Sequence, residues 1–164
     1  MISFKSAIIW LILWVSFTSG FAQRVRVLPI DSILSRVNRH SDTTWVLNFW
    51  ATWCKPCVAE LWDFNNFHTH NQDKPIRVLL LSVDNQDAAF SRVEPFIQKR
   101  KISAEVLVVQ ETNPNLWMDK IDPKWSGSIP STLFIAAKTQ KRLFKEQSFD
   151  EIELNDTVFP MLSP

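Results

Sequence analysis

Cysteine is almost missing from this chain of 164 residues; it occurs only at positions 54 and 57. A structural zinc site takes four ligands, and beyond Cys54 and Cys57 only His40, His68 and His70 are available. His68 and His70 stand two apart on a predicted helix and do not share a face, so the ligand count argues against zinc. Long runs of one charge are missing too. The charged residues are interspersed along the chain as a solvated surface, which gives no support for a nucleic-acid or anionic-membrane partner. Glycine is confined to Gly20 and Gly127, and tyrosine is absent beside 8 Trp and 12 Phe; no function follows from that bias. There is no internal repeat and no low-complexity linker, and the length suits one domain with a real core rather than two.

A long apolar run is also lacking. Ala7 to Phe17 is an apolar stretch of 11 residues, well short of the roughly 20 that a spanning helix needs. Lys5 precedes it, and Gly20 and Ala22 are small residues at the −3 and −1 positions of a cut before Gln23. Residues 1–22 therefore read as a cleaved signal peptide and 23–164 as the mature domain, with an uncleaved membrane anchor as the minor alternative. Without Lys5 the remainder holds 17 basic and 17 acidic residues, a formal net charge of zero.

What is present is Trp53-Cys54-Lys55-Pro56-Cys57. It follows an apolar run, Trp45 to Trp50, that reads as a buried strand, and it opens a segment, Val58 to His70, that reads as a helix. In an oxidising compartment a lone pair of cysteines is often a structural staple. A loop this short constrains the unfolded chain little, so the spacing favours a reactive dithiol. Cysteine attacks as thiolate. At a helix N-terminus the free backbone N–H groups lower the pKa of Cys54, and Lys55 adds a positive charge in the same direction. Pro56 suits the first helical turn and stiffens the loop. Cys57, one turn in, suits the resolving role, attacking the mixed disulfide formed by Cys54. The pair carries the electrons itself, so no cofactor is expected.

The rest of the chain alternates strands and helices. Residues 23–29 read as a tail or short edge strand, and 31–37 as a short helix with Asp31 as N-cap. Strands are predicted over 43–50, 76–83 and 105–109, and a hairpin over 131–136 and 141–144. The helix after Cys57 should bury Val58, Leu61, Phe64 and Phe67. A helix over 87–101 should turn Phe90, Val93, Phe96 and Ile97 inward, with Pro95 kinking it or delaying its start. Residues 113–121 read as a short helix or turn and 149–161 as a last helix. This order predicts an α/β fold, a central mixed sheet covered by helices on both faces.

Phe49 to Cys57, then Glu60, then Ser128-Ile129-Pro130-Ser131-Thr132, resemble the thioredoxin superfamily, and within it the exported TlpA-like thiol–disulfide oxidoreductases, over roughly residues 43–146. The resemblance implies a thioredoxin-like fold and exchange of disulfides with protein thiols. It also implies a cis bond before Pro130 and pairing of an extended substrate segment with the backbone of Ile129. Asn48 falls where many thioredoxins carry a buried aspartate, which leaves Glu60 as the carboxylate expected to move protons. An exposed helical glutamate is the plainer alternative for Glu60. Trp53 is expected to shield the disulfide and touch partners, and Trp125 to belong to the core.

Two departures from that branch stand out. Trp62 occupies the place of a proline that commonly bends this helix, and the final hairpin and helix lack the usual glycine. Reductant, oxidant and isomerase share these residues; the resemblance favours a periplasmic, monomeric reductant of the cytochrome c maturation type, served by a membrane electron-transfer partner. Two competing readings are a copper-delivery protein and a non-catalytic binding module. The first lacks a histidine beyond His70; the second lacks any loss of Cys54, Cys57 or Pro130 to argue from.

Overall fold

The computed structural model describes residues 25–39 and 41–162; the expected signal peptide and His40 lie outside that range. Its strands are β1 (Arg26–Leu28), β2 (Thr44–Trp50), β3 (Ile76–Ser82), β4 (Glu105–Val109), β5 (Ser131–Ala136) and β6 (Lys141–Lys145). Its helices are α1 (Ile30–Val37), α2 (Lys55–His70), α3 (Glu94–Lys99), α4 (Met118–Ile121) and α5 (Glu151–Leu162). The sheet order is β1-β4-β3-β2-β5-β6. The first four strands run parallel, whereas β5 and β6 are antiparallel to their neighbours. This is the mixed sheet that the strand–helix alternation predicts, in a thioredoxin-like fold.

Every residue of β2 is buried, and of β3 only Arg77 is exposed, as continuous apolar strands covered on both faces should be. Side chains alternate between two cores. Val46, Trp50, Val78, Leu80 and Val106 point to the face covered by α2, α3 and α5. Leu47, Phe49, Leu79, Leu81 and Leu107 point to the face covered by α1 and by Trp117, Ile121 and Trp125.

Two local expectations are corrected. Asp31 is not an N-cap: α1 starts at Ile30 after Pro29, and its free N–H at Ile30 is taken by both oxygens of Glu111, at 3.1 and 3.0 Å. Asp31 instead pairs with Lys120 at 2.7 Å. Phe90 does not face inward; it is 64% exposed. A π-turn over Ala89–Val93 widens the spiral, so Ala89, Val93 and Ile97 take the inner face and Phe90 falls outside it. The regular helix accordingly begins only at Glu94, with Pro95 in its first turn, where the missing N–H is harmless. The shortage of glycine leaves, among the described residues, Lys101 (φ 53°) after α3 and Gln140 (φ 57°) in the β5–β6 turn with left-handed backbone. Despite Trp62 in place of proline, α2 is one continuous helix.

Candidate active site

The C-terminal end of β2 delivers the chain to the start of α2, and the turn between them is tied down from β3. Asp84, just past that strand, accepts hydrogen bonds from Thr52 N (2.8 Å), Thr52 Oγ1 (2.6 Å) and Ser82 Oγ (2.8 Å). Cys54 then stands as N-cap in extended conformation, with Pro56 in the first turn. Its Sγ accepts the N–H of Cys57 at 3.3 Å, the type of contact that favours negative charge on sulfur. Cys54 and Cys57 are joined in a disulfide. Cys54 is 6% exposed and Cys57 fully buried, the order expected of an attacking and a resolving sulfur. Lys55 and Pro56 are exposed beside them.

The sheet brings a second segment to the same place. Antiparallel pairing of β5 with β2 sets Thr132 opposite Asn48 and Ser131 opposite Phe49. The residues just before β5 therefore lie against the cysteine turn. Ile129 O is 3.8 Å from Cys54 Sγ, and the Ile129–Pro130 bond is cis.

Behind the cysteines, Glu60 is buried, at 3% exposure, rather than on an exposed helix face. Asn48 Nδ2 donates to its Oε1 at 2.7 Å, and Phe149 N donates to its Oε2 at 2.9 Å. Burial pushes the Glu60 carboxyl up to about 7; the bonds from Phe149 and Asn48 hold it down in part, and the nearby charge of Asp63 adds to the rise. Asn48 also donates to Thr132 Oγ1 at 3.3 Å, and its Oδ1 is buried without a partner among the described residues. Asn48 is thus a holder of Glu60, a relation that twelve residues of separation conceal in the sequence.

Trp53 is 64% exposed and borders a groove of about 220 Å³ whose other walls include Trp117, Met118, Trp125, Gly127 and Ile129. Trp125 is buried as expected, yet it also forms this wall, held by Nε1 donating to Ser128 O at 2.9 Å and by a tilted contact with Phe49 at 4.7 Å. Gly127 has φ 91°, and a Cβ there would come within 3.3 Å of Met118 Cε. Asp84, Trp117 and Gly127 escape sequence reasoning. Their only signals are the polar residue closing a buried strand and the aromatic and glycine residues in an irregular stretch. Among the described residues no group of three or more His, Cys, Asp or Glu side chains is placed to hold a metal ion, and no helix is long and apolar enough to cross a membrane.

Comparison with known proteins agrees with this geometry. The chain is 27% identical over 110 residues to a thiol-disulfide oxidoreductase ResA of Bacillus cereus, an alignment covering 65% of this chain and 58% of that protein. It is 27% identical over 63 residues to the sporulation thiol-disulfide oxidoreductase A of Bacillus subtilis, covering 38% of each. The chain thus spans less than two thirds of the length of these curated relatives. Among solved structures, a thioredoxin-related protein from Neisseria meningitidis serogroup B superposes with a TM-score of 0.66 at 20% identity, covering 78% of this chain and 91% of that one. A thiol:disulfide interchange protein of the thioredoxin family from Chlorobium tepidum TLS gives 0.63 at 20% identity, covering 79% and 85%. The model of the AhpC/TSA family matches residues 33–140, about two thirds of the chain and the run from within α1 to the β5–β6 turn, so this protein belongs to the AhpC/TSA family.

Proposed function

We propose that this protein is an exported thiol–disulfide oxidoreductase that reduces disulfides in other proteins. The observation that carries the reading is the Cys54–Cys57 disulfide at the start of α2, with Cys54 Sγ beside the backbone of Ile129. The redox names of its relatives support the same chemistry. The reduced form begins the cycle. The Cys54 thiolate attacks one sulfur of the substrate disulfide, which breaks, and the other substrate sulfur leaves as thiolate. Cys57 loses its proton and attacks Cys54; the mixed disulfide breaks, the second substrate sulfur leaves, and Cys54–Cys57 is oxidised. Two electrons have passed to the substrate. Glu60, one turn beyond Cys57 and with its carboxyl near neutrality, takes the Cys57 proton. Ile129 offers backbone to an extended substrate, and the groove beside Trp53 takes an apolar side chain next to the substrate cysteine.

The apolar segment after Lys5 supports export, with Gln23 as the first mature residue and the periplasm as destination. Return to the dithiol then requires electrons from a membrane dithiol protein, and apocytochrome c is the substrate class that the resemblance to TlpA-like reductants favours.

Trapping tests the cycle. Reduced Cys57→Ser and Cys54→Ser proteins are mixed with a disulfide-bonded protein and run on non-reducing gels. Stable adducts are expected with Cys57→Ser alone, because its mixed disulfide has no internal resolver. Adducts chiefly with Cys54→Ser reverse the roles, and adducts with neither reject the function.

A further inference from the structure

Trp62 has no part in the cycle just described, yet it leaves 57% of its surface in water in the middle of α2. It forms one wall of a recess of about 320 Å³ between α2 and the end of α3. Val58, Leu61 and Ile102 supply its apolar lining, and Lys99 and Arg100 its rim. Lys101 follows, making three cations in a row, all exposed. Among the described residues none of the three has an ion-pair partner. The carboxylate of Glu94 on the same helix is engaged by Gln98 at 3.2 Å instead. Arg100 is laid over the Phe96 ring, 4.4 Å from its centroid, which holds the guanidinium at the rim.

We propose that this recess is a docking site for an acidic segment of the protein that exchanges disulfides with Cys54–Cys57, one apolar side chain entering beside Trp62 and flanking carboxylates meeting Lys99, Arg100 and Lys101. The proposal rests on the exchange function above and names a second contact of the same partner. Two observations select the occupant. The rim is cationic and unpaired, so its complement is acidic. The recess also lies on the helix that the redox pair opens: Val58 follows Cys57 directly, and Trp62 stands eight residues along the same helix from Cys54, about 12 Å. A partner whose sulfur has reached Cys54 needs only a short further reach along α2 to meet it. A recess sized for a side chain, on the helix that carries a cysteine pair exchanging disulfides with proteins, fits a polypeptide better than a lipid surface.

The test uses the whole protein and three synthetic peptides that share one intramolecular disulfide. One has no tail. One carries a flexible linker and a tail of alternating acidic and apolar residues. The third has lysine for each acidic residue. At low salt the acidic tail is expected to lower KM about threefold to tenfold with kcat unchanged, and ~1 M salt should weaken the gain by screening its charged part. Lys99→Glu with Arg100→Glu should reverse the preference, and Trp62→Ala should remove most of it. Both variants should turn over the untailed peptide like the unaltered protein. Fluorescence anisotropy of the labelled acidic tail alone reads docking independently, so loss of exchange with all peptides while the tail still binds rejects the function and not the site. Equal KM values for the tailed peptides, or a preference that survives the charge reversal, overturn the proposal. So does co-sedimentation with phosphatidylglycerol vesicles that the charge reversal abolishes while the peptides remain indistinguishable; that result makes the patch a membrane contact.

Discussion

Glu60 carries the largest conflict between a side chain and its surroundings. An acid whose carboxyl moves from 4.5 to about 7 holds its proton more tightly folded than unfolded. The stability tied to that proton is full below pH 4.5 and is lost as pH rises through 7, on the order of 3 kcal/mol in all. Glu60→Gln removes this dependence. Glutamine keeps an acceptor for Phe149 N, and its amide can donate to Asn48 Oδ1, now unpartnered, once the Asn48 amide turns over. Urea denaturation at about pH 5 and pH 8 should show the unaltered protein losing stability with pH and Glu60→Gln losing much less; the smaller slope left over belongs in part to Asp63, which burial and Asp150 also push up. Parallel slopes in the two proteins would place the proton elsewhere. In the reduced protein the same substitution should lower the apparent pKa of the nearer thiol above about pH 7, where a negative neighbour has been removed.

At the scale of elements, the cysteine turn is only as rigid as its attachment to β3, and that attachment is Asp84. Asp84→Ala leaves Thr52 N–H, the Thr52 hydroxyl and the Ser82 hydroxyl without their acceptor. The expected cost is about 3 kcal/mol, and Asp84→Asn, which keeps one oxygen, should cost about 1 kcal/mol. Amide hydrogen exchange at Thr52 should quicken in the alanine variant while the centre of β2 stays protected. Unchanged exchange at Thr52 would mean that Pro56 and the helix start hold the turn unaided. Sequence pattern located these elements well because strong periodicity is local: β2 and β3 are apolar almost throughout, and α2 repeats its buried residues at Leu61, Phe64 and Phe67. It failed where the governing contact is distant. Asp31 looked like the cap of α1, whereas Glu111, 81 residues from Ile30, performs that task. Phe90 falls on the inner face of a regular helix, but the chain makes a π-turn there and turns it outward.

Across the whole molecule, α2, α5, β2 and β5 share one core, so the site cannot loosen without the rest. Leu154 of α5 is fully buried in it. Leu154→Ala should cost about 2–5 kcal/mol, with near-ultraviolet signals from tryptophan and far-ultraviolet signals from helix falling at the same denaturant concentration. Separate transitions would make α5 an appendage rather than part of the cooperative unit. The same sharing explains the division between what was legible and what was not. The sequence by itself determined the cysteine pair and its place between a buried strand and a helix, because both are written in adjacent residues, whereas the Ile129–Pro130 segment was implied as its counterpart only by the resemblance to thioredoxins. Only the tertiary structure decided that Glu60 lies buried between Asn48 and Phe149 N, and that Asp84 ties the cysteine turn. It alone set Trp62 beside Lys99 and Arg100. Those relations join residues 12 to 89 positions apart, and pairing of strands and packing of helices, not local preference, bring them within bonding distance.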